Sequence, residues 1–315
     1  MKMIVTLTMN PSIDKSSSVG NVVAERKLYC TVPRFEPGGG GINICRAIKK
    51  LGDESLALYT SGGPTGEMLQ FLLDQEGLTH RPVQVNGWSR ENLIVLEEST
   101  GQQYRFGMPG PVLIDVEWER CLYELTNRNP KPDYIVASGS LPDRVPLDFY
   151  AHVARIGKEI DARVIVDASS EALKFALQEG VYLIKPNVRE FREIVGSEIR
   201  EESQIKSAAK KTVESGQCEV VVISLGAAGA IIATKEAVEH IIPPTVPIIS
   251  KVGAGDSMVA GIVLSLARGN ALRDSILFGV AAGTAAVMTP GTELCRREDT
   301  ERLYKQMSSE STGLR

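Results

Sequence analysis

Apolar residues along this chain fall into two alternating rhythms. Ile4–Met9, Leu56–Thr60, Tyr134–Ala137, Val164–Val166, Tyr182–Ile184 and Val220–Ile223 are apolar almost throughout, the pattern of strands buried on both faces. Between them, Ile42–Leu51, Gly66–Glu76, Pro146–Ile156, Ser170–Gln178 and Glu202–Ser215 carry apolar residues at helical spacing. In the first of these, Ile44, Ala47, Ile48 and Leu51 share one side and Gly52 is the stop. Such alternation predicts an α/β fold with a mainly parallel central sheet and helices on both faces. Ligands in such folds bind beyond the carboxyl ends of the strands.

Two segments break the rhythm. Arg26–Phe35 and Ser89–Met108 alternate like strands, with little helix beside them. In the second, Leu93–Leu96 and Gln103–Phe106 flank a polar stretch containing Gly101, which predicts a hairpin. Both segments are assigned to a small antiparallel β lid, drawn from about residues 15–36 and 88–108; an ordinary surface hairpin is the alternative. With no long linker, low-complexity stretch or internal repeat, residues 1–315 are read as a single domain.

Composition narrows the function classes. Hydrophobic residues make up 43% of the chain and charged residues 23%, which allows a sizeable core. The net charge of −4 gives no reason to expect nucleic acid or an anionic membrane as partner. Neither a signal peptide nor a run of about 18 apolar residues is seen. Five scattered cysteines without a C-x-x-C are expected to be reduced thiols of a cytoplasmic protein. The three histidines stand at no metal-ligand spacing and near no glycine motif, so a carboxylate is the better candidate for a general base.

The most informative stretch is Gly253-Ala254-Gly255-Asp256, followed by an apolar helical run. Glycines let the backbone turn tightly against a ligand, and the helix start offers unpaired N–H groups to an anion. Asp256 sets a carboxylate beside that anion hole. Backbone donors for a moving phosphoryl group, beside a carboxylate for the attacking hydroxyl, are the equipment of a small-molecule kinase.

A second glycine run, Gly38-Gly39-Gly40-Gly41, precedes Ile42 and Asn43 at the start of the first long helix. Its amides and the Asn43 side chain suit a sugar's hydroxyls; a loose loop is the alternative. Asp14, after the first strand, suits vicinal hydroxyls or a turn. Asn187 and Glu190, after Lys185, share one side of a helical turn. They suit Mg²⁺ held through water, or a capping box. Ser224 to Gly229 form a small-residue turn after a buried strand, open to a nucleotide or a plain strand connection. Lys27, Arg90 and Arg105 in the lid are either a clamp on a substrate phosphate or solvated charges. A Walker loop and the protein-kinase motifs are absent from the sequence.

With Gly38–Asn43 and Gly253–Asp256 in this order and about 210 residues apart, the chain resembles the PfkB family of carbohydrate kinases, whose fold is the ribokinase-like three-layer sandwich. The resemblance runs from Ile4 nearly to the C-terminus. It is closest to the phosphosugar branch with the minor-type bacterial 6-phosphofructokinases, on Phe35–Asn43, Glu91-Asn92-Leu93, Gln103–Phe106, Met108-Pro109-Gly110, Ser138–Pro142 and Val252–Met258.

The resemblance implies ATP-dependent phosphorylation of fructose 6-phosphate in glycolysis, with tagatose 6-phosphate and fructose 1-phosphate as the nearest other substrates. It implies Asp256 as base and Gly253, Ala254 and Gly255 as anion hole. Asp14, Gly39, Asn43 and Ser140 would contact the sugar, and Lys27, Arg90 and Arg105 its phosphate. Lys185, Asn187, Ser224, Gly226 and Gly229 would border ATP, and Glu190 would organise Mg²⁺. It also implies a homodimer through the lid, with Arg90 serving the neighbouring subunit. Two departures stand out. Lys251 replaces a small hydroxyl residue near the phosphates. Glu293, with Thr289 and Gly291 in a loop that binds a monovalent cation in relatives, counts against K⁺ dependence. A non-catalytic sugar-phosphate sensor would lack the base or the anion hole, and a dinucleotide-binding dehydrogenase would carry a third glycine where Asn43 stands.

Overall fold

The computed structural model describes residues 2–168, 170–196 and 199–312. Its strands are β1 (Ile4–Thr8), β2 (Ser12–Val19), β3 (Arg34–Gly38), β4 (Leu56–Ser61), β5 (Thr79–Gln84), β6 (Arg90–Glu97), β7 (Gln103–Phe106), β8 (Tyr134–Ser138), β9 (Arg163–Asp167), β10 (Val181–Ile184), β11 (Cys218–Ser224), β12 (Ala230–Ala233) and β13 (Val238–Ile241). Its helices are α1 (Gly40–Lys50), α2 (Gly63–Gln75), α3 (Asp115–Thr126), α4 (Phe149–Ile160), α5 (Ser170–Glu179), α6 (Val188–Val195), α7 (Glu202–Glu214), α8 (Ala254–Ala267), α9 (Leu272–Ala286) and α10 (Arg297–Thr312).

The main sheet runs β13-β12-β11-β10-β9-β8-β1-β4-β5. From β11 to β5 every pairing is parallel; β12 joins β11 antiparallel, and β13 joins β12 antiparallel. The alternation along each strand explains why the strands read as apolar runs. Val5, Leu7, Ile135 and Ala137 pack with residues of α3, α4, α5 and α7 on one face. Ile4, Tyr134 and Val136 pack with α1, α8, α9 and α10 on the other. The result is the expected three-layer α/β sandwich. Strand order reverses between β1 and β8, since β4 and β5 extend the sheet one way and β9 to β11 the other. A crevice forms at such a switch point.

The second sheet is the lid, in the order β3-β2-β6-β7. Its outer pairings, β2–β3 and β6–β7, are antiparallel as expected, and its central pairing, β2–β6, is parallel. Parallel neighbours need a long crossover, and here α1, β4, α2 and β5 provide it. Two expectations fail locally. Arg26–Phe35 is not a strand: only Arg34 and Phe35 enter β3, and residues 21–32 are exposed and outside any helix or strand, Thr31 bonding back to Ser18 of β2. Asp14 does not cap a turn but lies within β2, paired with both neighbours of that strand.

The first long helix starts earlier than its apolar rhythm, at Gly40 rather than Ile42. A methyl group on Gly40 would lie 2.2 Å from Ser138 Oγ, and one on Gly41 2.5 Å from Thr8 Oγ1 and 2.7 Å from the Leu7 carbonyl oxygen. The glycines let α1 press its N-terminus against the ends of β1 and β8; they are not a loose loop. Among the described residues no helix is long and apolar enough to cross a membrane. Cys30 is an exposed free thiol, and the four other cysteines are buried and unpaired.

Candidate active site

Five parallel strands deliver polar residues to one edge of the sheet. Asn10 follows β1, Ser138 to Ser140 close β8, Asp167 ends β9, Lys185 follows β10 and Ser224 ends β11. The N-termini of α1 and α8 come to the same edge. Gly253 sits at φ +74° with no side-chain cap on α8, leaving the first-turn amides without an intrahelical acceptor. That left-handed backbone suits glycine, and a methyl there would meet Leu294 Cδ2 at 2.4 Å.

The two glycine motifs meet in space. Asn43 Nδ2 donates to Asp256 Oδ2 at 2.9 Å across 213 residues of sequence. Asp256 also faces a buried cation. Lys185 Nζ lies 3.3 Å from Asp167 Oδ1 and 3.2 Å from where a Gly255 methyl would stand. Burial disfavours the Lys185 ammonium, but the carboxylates of Asp167, Asp256 and Glu190 outweigh it and hold its pKa above the ordinary lysine value.

The helix start beside Asp256 would by itself favour the ionised carboxylate. Burial and the like charge of Asp167 win instead, against Asn43, Lys185 and Arg46, and push Asp256 up to about 6. A base near neutrality accepts a proton better than an ordinary aspartate does.

On the lid side, Ser12 Oγ and Asn92 Nδ2 both donate to Asp14 Oδ1, at 2.9 and 2.8 Å. A methyl on Gly38 would lie 2.7 Å from Asp14 Oδ2. Asn10 Nδ2 donates to Ser140 Oγ at 3.0 Å. Arg90 donates to the carbonyls of Asn10 and Met108 at 3.1 and 3.2 Å. Its own chain thus holds this side chain beside its own cleft. Asn10 Oδ1 and Arg90 Nε are buried without a hydrogen-bond partner, an arrangement suited to a polar ligand.

Arg105 shares the lid face of Arg90 but pairs with Ile94, four residues along β6 and therefore roughly 13 Å away. Lys27 is exposed, with Nζ 5.1 Å from the centroid of Tyr29. Within one chain the three lid cations do not converge.

Beside the start of α8 lies a cleft of about 340 Å³ lined by Ser224, Gly226, Gly229, Lys251, Ala254 and Gly255, with Met258, Val280 and Val287 as apolar wall. That size and lining suit a small organic ligand. Asn187 and Glu190 form the reciprocal capping box of α6, with the Asn187 amide on Glu190 Oε2 at 2.8 Å and the Glu190 amide on Asn187 Oδ1 at 3.0 Å. One side-chain oxygen of each residue is thereby committed to structure. Among the described residues no three His, Cys, Asp or Glu side chains are grouped to hold a metal ion. Thr289 Oγ1 lies 2.8 Å from the carbonyl oxygens of both Ala286 and Leu294, its single O–H shared between them. Glu293 pairs with Arg296 at 2.9 Å.

Sequence reasoning missed Asp167, Asn10 and Asn92. A charged residue ending the apolar run of β9 was the available signal for Asp167; Asn10 and Asn92 had none.

The family model for pfkB family carbohydrate kinases matches residues 3–299. The chain belongs to this family. It is 43% identical over 309 residues to ATP-dependent 6-phosphofructokinase isozyme 2 of Mycobacterium tuberculosis, covering 98% of this chain and 91% of that one. The isozyme 2 enzyme of Escherichia coli is 42% identical over 98% of this chain and the whole of its own. Crystal structures of phosphofructokinase-2 from Escherichia coli, with potassium and with fructose 6-phosphate, superpose with TM-scores of 0.94 and 0.92. Their identities are 41% and 40%, and both alignments cover 98% of this chain and all of the other. These comparisons establish a carbohydrate kinase on the ribokinase-like fold.

Proposed function

We propose that the chain transfers the γ-phosphoryl group of ATP to the 1-hydroxyl of fructose 6-phosphate, giving fructose 1,6-bisphosphate and ADP. The observation that carries this reading is the 2.9 Å bond between Asn43 and Asp256, which sets the sugar-facing motif and the phosphate-facing motif across one cleft. The names of the relatives support the choice of sugar phosphate.

Asp14, Gly38 to Gly41, Asn43 and Ser140 hold the sugar hydroxyls, with Asn10 and Asn92 beside them. Arg90 anchors the 6-phosphate, and Lys27 and Arg105 join it where the lid meets a second copy of the chain. Ser224, Gly226, Gly229 and Lys251 border ATP. The amides of Gly253, Ala254 and Gly255, with Lys185, face the phosphoryl group in flight. Asp256 orients the 1-hydroxyl and takes its proton. The transition state is loose, so alignment matters more than deep deprotonation; such alignment lowers a barrier by about 7–11 kcal/mol.

Asp167 and Glu190 are hard oxygen donors at the phosphate end, a set that fits Mg²⁺ shared with phosphate oxygens. A Mg²⁺ ion held by them would supply positive charge to the phosphates of ATP. The loop of Thr289, Gly291 and Glu293 is the place for a monovalent cation in this reading, and the potassium complex of the Escherichia coli relative supports it, while Glu293 counts against it. The one-domain kinase with its discontinuous lid, the homodimer through that lid, the glycolytic role and the cytoplasmic setting all belong to this reading.

The test is ATP consumption over fructose 6-phosphate, tagatose 6-phosphate, fructose 1-phosphate and unphosphorylated sugars, with the product identified. The reading expects the highest kcat/KM on fructose 6-phosphate and a 1,6-bisphosphate product. A preference for fructose 1-phosphate or for an unphosphorylated sugar contradicts it.

A further inference from the structure

Arg46 lies beneath the site and reaches it only through Asn43. Its side chain is 3% exposed, and it forms a two-pronged ion pair with Glu76 at the end of α2, Nη2 lying 2.7 Å and Nε 2.8 Å from the carboxylate oxygens. The remaining nitrogen, Nη1, spreads its two N–H groups over three oxygens: the Pro37 carbonyl at 3.1 Å, the Thr292 carbonyl at 3.3 Å and Asn43 Oδ1 at 3.4 Å.

The last contact settles the orientation of an amide. A guanidinium has donors and no acceptor, so only the oxygen of the Asn43 amide can face Arg46. The amide nitrogen must then face away, and it is this nitrogen that donates to Asp256 at 2.9 Å. Flipped by 180°, Asn43 would set an amide N–H group against the guanidinium and an oxygen against the carboxylate, with both contacts repulsive. The same nitrogen keeps its second N–H free for the acceptor sugar. Pro37 ends in the glycine run on one side, and Thr292 belongs to the loop before α10 on the other. One buried cation thus ties together the lid's return strand, the sugar motif and the loop packed on the α8 start.

We propose that Arg46, held by Glu76, is a positioning residue for phosphoryl transfer: it fixes the Asn43 amide so that its nitrogen holds Asp256 and faces the acceptor sugar. This rests on the reading of Asp256 as base. Arg46 also lowers the Asp256 pKa through its charge, so its removal moves the acid limb of the pH–rate profile to higher pH.

Loss of Arg46 alone would leave Glu76 without its partner. The better variant is the double replacement Arg46→Met with Glu76→Met, which removes the pair and keeps its volume; Glu76→Gln serves as a milder second variant. The expected result for the double replacement is a normal melting transition, ATP affinity within about threefold of wild type, and kcat lowered by tenfold or more, the scale of a lost orienting contact. Its acid limb shifts upward, and when it is combined with Asn43→Ala the losses fall well short of additive, because Arg46 acts through Asn43. Glu76→Gln, which keeps the Arg46 charge, lowers kcat in smaller measure without the upward shift of the acid limb. An unchanged kcat, or an unshifted acid limb with fully additive losses, overturns the proposal. Asp256→Asn, assayed in parallel, separates the two failures. If that variant is inactive while the Arg46 variants behave as wild type, only the positioning role falls. If Asp256→Asn turns over normally, the phosphoryl-transfer reading falls first.

Discussion

At the scale of single residues, the site works by opposing influences on one carboxylate. Burial and Asp167 push Asp256 up to about 6, while Asn43, Lys185 and Arg46 restrain it. In its proposed role as base Asp256 must be ionised, so kcat/KM should fall below pH about 6, approaching tenfold per unit; a profile flat down to pH 4.5 would contradict this. The same shift acts on stability. The folded pKa lies above the unfolded value, so the contribution of Asp256 favours folding below pH about 4 and turns unfavourable as pH rises through 6. Asp256→Asn should therefore stabilise the ligand-free protein at pH 8 by about 1–3 kcal/mol and have little effect at pH 4, measured by urea denaturation. On the sugar side, Arg90→Ala should weaken fructose 6-phosphate binding by about 2–3 kcal/mol, the worth of a charge-assisted pair, with ATP affinity unchanged; calorimetry with each ligand checks this, and equal losses would undo the assignment. Asp256 and Asn43 were legible in the sequence because each follows a glycine run, which has few uses other than close approach. Asn10 and Asn92 were not, because a lone asparagine near a strand says nothing until the opposite chain segment supplies its partner.

At the scale of elements, the buried parallel strands were the clearest part of the sequence, since strands covered on both faces have no polar positions to blur the pattern. The lid was less clear. Its β6–β7 hairpin showed itself through local alternation and Gly101, whereas β2 carries polar residues on its cleft face and was hidden. Residues 21–32 hold Val22, Val23, Leu28, Tyr29 and Val32, all exposed in one chain. Helix α1 extends through glycines that propensity would exclude, because its N-terminus must approach the sheet. Gly41→Ala tests this: the added methyl meets backbone and cannot be relieved by a side-chain rotation. A destabilisation of about 1–3 kcal/mol is expected, as for overpacking of a tight interior, seen as a lowered urea midpoint; an unchanged midpoint would show that the helix start has room to move.

At the scale of the whole molecule, two halves of the chain must close on one reaction. In the proposed reading the first glycine motif and the lid hold the sugar, and the second motif and the sheet edge hold the nucleotide. The lid leaves Tyr29 at 78% and Val32 at 89% exposure, with Phe106 also exposed, more apolar surface than a small sheet keeps without a partner. If two lids pair, Val32→Asp combined with Phe106→Asp should shift the mass from dimer to monomer in light scattering at micromolar concentration and raise KM for fructose 6-phosphate; an undisturbed dimer would exclude that surface. The joining of the halves, however, rests on Asp256. The most direct measurement is the turnover of Asp256→Asn on fructose 6-phosphate, with ATP affinity measured on the same protein. The account predicts ATP binding within about threefold of wild type and turnover reduced roughly 10²–10⁴-fold. Turnover near that of the wild type would contradict it.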